Sequence, residues 1–202
     1  MMNKTLGYQE HQAGSPCEYL TLAFSPLSAP LRSRWRNNGL SADFLGDYVT
    51  TFLPANGSAA AAEERQNEIK HAVTYIANEL LENAMKYHEH NVDIPIEIHL
   101  ELTSTQIVVS ASNGVGEAQA EHYYTFVENI LRQDAGELLV KQLEESAGGD
   151  GSTKSCLGLL TMITDYHALL GWRFEAHPTS AGVVIVSTSA VISLENVPGL
   201  SA

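Results

Sequence analysis

The sequence predicts an α+β fold: a two-layer α/β sandwich with a mixed, mainly antiparallel sheet. Three observations lead there. "IPIEIHLEL" and "QIVVSAS" alternate apolar and polar residues across the short turn "TST", which makes an antiparallel hairpin. A long amphipathic helix precedes them, from about 63 to 87, with Ile69, Val73, Ile76, Leu80 and Ala84 recurring at spacings of three and four. A second pair of strands, "WRFEAHP" and "GVVIVSTSAVIS", closes the chain after further helices. Hairpin-joined strands with helices gathered between them stack as one sheet and one helical layer.

Taken in order, residues 1–17 read as a flexible arm, and "CEYLTLAFSP" as a strand stopped by Pro26 and Pro30. "LRSRWRNNGLSADFLGDYVTTFLP" is helical in pattern, with a break expected near Asn37-Asn38-Gly39 and a restart capped by Ser41. "ANGSAAAAEERQ" is a small-residue linker running into the long helix. After the hairpin, "GVGEAQ" leads into helices over about 117–133 and 136–145. The glycine-rich "SAGGDGSTKSCLG" then opens an apolar helix, "LLTMITDYHALLG". One domain is expected over 18–195, with a strand–helix extension at 18–62 and a tail at 196–202; a chain of 202 residues supports one good core.

Hydrophobic residues make up 44% and charged residues 17%, an ordinary globular balance. The formal net charge of -13 argues against a nucleic-acid or anionic-membrane partner, since phosphate backbones are held mainly by Lys and Arg. It also sets a condition on nucleotide binding: backbone N–H groups, a helix N-terminus and a metal ion must neutralise the phosphates locally. Cys17 and Cys156 lie far apart, and neither a signal-like apolar region nor a span-length stretch occurs, so the expected compartment is the cytoplasm.

"ELLENAMKYH" places Glu79, Asn83 and Lys86 on one helical line. Such a stripe suits a solvated helix, where Glu82 and Lys86 would pair, or a helix facing a bound phosphate. Two later stretches bear on the choice. "SASNGVG" puts Gly114 and Gly116 where a strand turns into a helix, giving dihedral freedom and close ligand approach. "GGDGSTKSCLGLL" is a loop entering a helix, whose unpaired N–H donors suit anions. It is not a Walker A sequence. Other candidates are weaker: His88 and His90 around Glu89 lack metal-site spacing, no G-x-S-x-G elbow supports a triad with Ser155, and "HYYTFVENIL" reads as a packed aromatic face. Arg32, Arg34, Trp35 and Arg36 form a basic–aromatic cluster, either a helix end packing Trp35 or a surface for an acidic partner.

The three stretches in this order resemble the GHKL superfamily of histidine kinase-like ATPases. "ANELLENAMKYH" looks like its N-box, "SNGVG" like the G1 box D-x-G-x-G, and "CLGLL" like the G2 box G-x-G-L, over about residues 65–190. The resemblance implies ATP and Mg²⁺ as cofactors, with Asn83 the metal ligand, Glu79 the general base and Lys86 near phosphate. Ser112, Gly114, Gly116, Lys154 and Gly158 join the nucleotide-binding set. Two departures stand out. Ser112 replaces the box's aspartate, forgoing a charge-assisted bond of about 1.5–3 kcal/mol, and Cys156 replaces a glycine. The chain is most similar to the stand-alone anti-sigma or SiaB-like serine kinase type. That implies a bacterial signal-transduction switch protein, with a homodimer as one possible state, that binds or serine-phosphorylates a partner such as a STAS-domain anti-anti-sigma protein. The alternative is a degenerate pseudo-ATPase serving only as an interaction module.

Overall fold

The computed structural model describes residues 2–9, 18–25, 31–53, 58–89, 92–147 and 154–194; for 31–37, 145–147 and 154–155 it describes the backbone alone. Among the described residues six strands and five helices follow one another as β1 (Asn3–Gly7), β2 (Glu18–Phe24), α1 (Leu31–Thr50), α2 (Ala59–Lys86), β3 (Ile96–Leu102) and β4 (Gln106–Gly116). After them come α3 (Glu117–Leu131), α4 (Ala135–Ala147), α5 (Lys154–Thr164), β5 (Leu169–Ala176) and β6 (Val183–Ser193). The strands form one sheet in the order β1-β5-β6-β4-β3-β2. Each of its pairings is antiparallel. The result is an α+β sandwich with helices on one face.

Alternation decides which face. Ile96, Ile98, Leu100 and Leu102 of β3 are buried on one side, and Leu102, Leu100 and Ile98 stand opposite Ile107, Val109 and Ala111 of β4. Those side chains meet the apolar stripe of α2, where Ile69, Val73, Ile76, Leu80 and Ala84 are all buried as their spacing predicts. Burying each large aliphatic side chain contributes about 1.5–3 kcal/mol. Helix α2 starts at a Ser58 N-cap whose side chain accepts from the Ala61 N–H, so the supposed alanine linker is its first turn.

Three expectations change. Residues 3–7, read as part of a loose arm, form β1 at the sheet edge and pair with β5 from Asn3↔Glu175 to Gly7↔Gly171. Helix α1 runs unbroken through Asn37-Asn38-Gly39. A glycine there costs about 1 kcal/mol of helix propensity, which tertiary packing of Ala42, Leu45 and Val49 outweighs. Gly46 sets the tight α1–α2 approach: a Cβ there would overlap Thr74 Oγ1 and lie 3.1 Å from the Lys70 carbonyl oxygen. Finally, the apolar run "LLTMITDYHALLG" divides. Helix α5 stops at Thr164, His167 takes a left-handed φ of 51°, the Ala168 N–H returns to the Met162 carbonyl at 2.9 Å, and Leu169 begins β5. Periodicity alone cannot separate a buried helix from a buried strand in so apolar a segment.

Candidate functional site

Helix α2 advances 100° per residue, which turns Leu80, Asn83, Ala84 and Tyr87 toward the sheet while Glu79 and Lys86 lie ~40–60° further round. Strand β4 contributes Ala111, Asn113 and Val115 from its inward face, and β6 contributes Val186 and Thr188. Helix α3 covers them with Gln119, His122, Tyr123 and Phe126. Together these side chains enclose a cavity of about 280 Å³, close to the ~300 Å³ at which ordinary ligand clefts begin.

Its walls are aromatic. Tyr87 and Tyr123 stack with centroids 6.1 Å apart and 23° between planes, and Tyr123 and Phe126 stack at 6.2 Å. Trp172 Nε1 donates to the Tyr123 hydroxyl at 3.0 Å, which fixes that ring. Burial pushes the Tyr123 phenol above its usual range, so it stays neutral. Polar groups are the Asn83, Asn113 and Gln119 amides and the Thr188, Tyr87 and Tyr123 hydroxyls, beside the His122 imidazole. Among the described residues no carboxylate, Lys or Arg lines it. Asn113 is 6% exposed, and its Nδ2 is sealed from solvent with no hydrogen-bond partner among the described residues. A buried amide donor left unpaired costs about 1–3 kcal/mol, a cost that rotation of the carboxamide toward a ligand acceptor would relieve.

The sequence-predicted residues distribute unevenly around this space. Asn83 lines it. Glu79 does not; its side chain packs against α5, where a Cβ added at Gly158 would overlap Glu79 Oε2 and lie 2.8 Å from Cδ. Glu79 and Gly158, 79 positions apart, are thus brought into contact. Burial, with a lesser contribution from the Glu82 charge, lifts the Glu79 carboxyl above its ordinary range. Glu82 itself accepts from Asn78 Nδ2 at 3.2 Å. Lys86 is exposed, its Nζ 4.9 Å from the centroid of the Tyr87 ring at the cavity's side. Lys154 opens α5, and its side chain and Gly148–Gly151 lie outside the described residues.

Ser112 is placed away from the cavity. It follows Ala111 and precedes Asn113 in a continuous strand, so the pleat sends its side chain to the other face of the sheet. The two glycines also differ from expectation. Gly114 is a strand residue opposite Ile185, and Gly116 is the N-cap of α3 with an ordinary φ of -62°. Neither needs left-handed freedom; both admit a close neighbour. A Cβ at Gly114 would lie 3.1 Å from Ile94 Cδ1, and one at Gly116 3.2 Å from Glu89 Oε2.

Residues that the sequence reading passed over now stand at the centre. Asn113 shares the period-two face of Val109, Ala111 and Val115, a signal that was present in "QIVVSASNGVG". The "HYYTF" segment both packs, through Tyr124 against Phe174, and lines the cavity through His122, Tyr123 and Phe126. His88, expected at a solvated helix end, is buried, while His90 and the side chains of Arg32, Arg34, Trp35 and Arg36 lie outside the described residues. Among the described residues no group of three or more His, Cys, Asp or Glu side chains could hold a metal, and no helix is long and apolar enough to cross a membrane.

With that geometry in place, comparisons with known proteins bear on the fold. A chain of the crystal structure of the SiaB–SiaC complex from Pseudomonas aeruginosa superposes with a TM-score of 0.57 at 20% identity, covering 86% of this chain and 89% of that one. The shared feature is the fold. No family model matches the chain, and no curated protein does.

Proposed function

We propose that this chain is an ATP-binding regulatory switch protein of GHKL type that binds, or phosphorylates on serine, a protein partner such as a STAS-domain protein. The observation that carries the reading is the aromatic-walled cavity between α2, β4 and α3, with the Asn83 amide on one wall and the Asn113 amide on another. Tyr87, Tyr123 and Phe126 offer faces to a planar base, and Asn113 offers its edge a hydrogen bond.

The residues present fit Mg²⁺–ATP in donor chemistry. Asn83 supplies a neutral amide oxygen, suited to a magnesium ion that keeps most of its waters and phosphate ligands. Bound magnesium would supply charge neutralisation at the phosphates, which the uncharged lining does not. Glu79 sits one turn before Asn83. It lies beside the cavity rather than in its lining, and in this reading it would accept the proton of an attacking serine hydroxyl or water, burial having raised its proton affinity. Gly158 leaves room for that carboxylate. The likeness in fold to a chain solved in a SiaB–SiaC complex supports a protein partner.

A second reading, an interaction module without catalysis, is favoured by a different observation. Leu40, Phe44 and Phe52 of the α1 segment are exposed on one line, with Tyr48 between the two phenylalanines and in tilted ring contact with Phe44 and Phe52 at 6.0 and 5.1 Å. Such an exposed aromatic stripe marks contact surfaces. Melting curves separate the two. Mg²⁺–ATP at 100 times its Kd would stabilise the protein by about 2.7 kcal/mol, and Asn83→Ala would abolish that shift. No shift at saturating ATP or ADP leaves only the interaction module.

A further inference from the structure

We propose that Asn113 reads the edge of the bound base through a carboxamide able to face either way, so that the site takes adenine and 6-oxopurine nucleotides alike. The inference rests on the nucleotide reading of the same cavity and adds its base selectivity.

Asn113 is the inward-facing polar residue of β4 at this point, flanked on its own face by Ala111 and Val115 and opposite Val186 of β6. It is buried, and Nδ2, sealed from solvent, is without a partner among the described residues, so no bond there holds the amide in one setting. A carboxamide carries an acceptor oxygen and a two-donor nitrogen, and its terminal torsion has two nearly equivalent settings. The adenine edge presents an amino donor beside ring acceptors, whereas a 6-oxopurine presents a carbonyl acceptor in the amino group's place. An ionised carboxylate accepts only: set opposite position 6, it pairs with the amino group of the first and repels the carbonyl oxygen of the second. Among the described residues no lining side chain is a carboxylate, so none of them imposes that choice. Stacking on Tyr87, Tyr123 or Phe126 is indifferent to the base, because every base has a π face.

The test is calorimetric titration of the full chain with Mg²⁺–ATP and Mg²⁺–ITP, in the wild type and in Asn113→Asp. The wild type is expected to bind both within about tenfold of each other. Asn113→Asp is expected to keep ATP and to weaken ITP by about ten- to a hundredfold, the range for a lost bond to a charged group. Asn113→Ala, which carries no charge, should weaken both to a similar degree and decides the matter if the aspartate variant melts too low to titrate. A wild type that prefers ATP by more than about a hundredfold overturns the inference and leaves nucleotide binding intact. So does an alanine variant that weakens one ligand alone. Binding of neither nucleotide to the wild type overturns the nucleotide reading itself, and the base selectivity with it.

Discussion

Gly158→Ala is a sharp probe of how α2 and α5 meet. A methyl group at 158 would overlap Glu79 Oε2 and crowd Cδ at 2.8 Å, so the glutamate must swing out of its half-buried seat. The obstructing atoms are the far end of a flexible side chain, so moving them costs about 1 kcal/mol, the low end for overpacking. Placing alanine instead of glycine inside α5 returns about 1 kcal/mol of helix propensity. The two nearly cancel, so Gly158→Ala alone should leave the melting temperature within ~2–4 °C of the parent for a chain of this size. In a Glu79→Ala background the obstruction is gone, and Gly158→Ala should stabilise by up to about 1 kcal/mol. The assay is urea unfolding followed by circular dichroism across the four-member cycle. The expected coupling is about 1 kcal/mol, the substitution being near neutral beside Glu79 and stabilising without it. If Gly158→Ala has the same effect in both, within the ~0.3–0.5 kcal/mol of independent sites, Glu79 does not rest on α5 and the reasoning fails.

Two further outcomes follow from particular contacts. Because burial raises the Glu79 carboxyl from its ordinary 4.5, the native state holds that proton more tightly than the unfolded chain. Stability therefore falls as pH rises through the window between the unfolded and native values, and the cost is fully present above it. Glu79→Gln should raise the urea midpoint at pH 7 and leave it nearly unchanged at pH 4; an equal change at both would contradict a raised native value. Gly46→Ala meets Thr74 Oγ1 and, less yieldingly, the Lys70 backbone oxygen at 3.1 Å. It should cost about 1–3 kcal/mol in spite of its helix propensity, seen as a lower melting temperature, whereas neutrality would mean that α1 and α2 lie further apart.

Much of the fold was legible because it rests on local periodicity. The fourfold spacing in α2 and the alternation in β3 both survive in the structure, since each stripe has one face to bury. What was hidden depends on distant partners. Residues 3–7 carry little apolar pattern, and their strand exists because β5 offers an edge. Gly39 is a helix breaker by propensity, yet Leu45 and Val49 hold α1 to α2. His167 ends a helix that hydrophobicity alone would continue. In the candidate site, the Glu79–Asn83 spacing was readable, and so was the glycine facing Glu79, although not the reason for it. The alternation of β4 was readable too, but matching by motif position pointed to Ser112, whose side chain the pleat turns away, instead of its neighbour Asn113. The aromatic cover from α3 required knowing that the helix folds back over β4, which no local pattern states.

The claim at the centre is that nucleotide enters the space between α2, β4 and α3. Calorimetric titration of Mg²⁺–ATP into the wild type and into Ala111→Phe, which fills that space from β4, addresses it most directly. Saturable binding of one nucleotide per chain in the wild type, lost in a variant that still unfolds cooperatively, is the expected result. Equal binding by both proteins would place the ligand elsewhere, and no heat from the wild type would mean that the cavity serves no nucleotide at all.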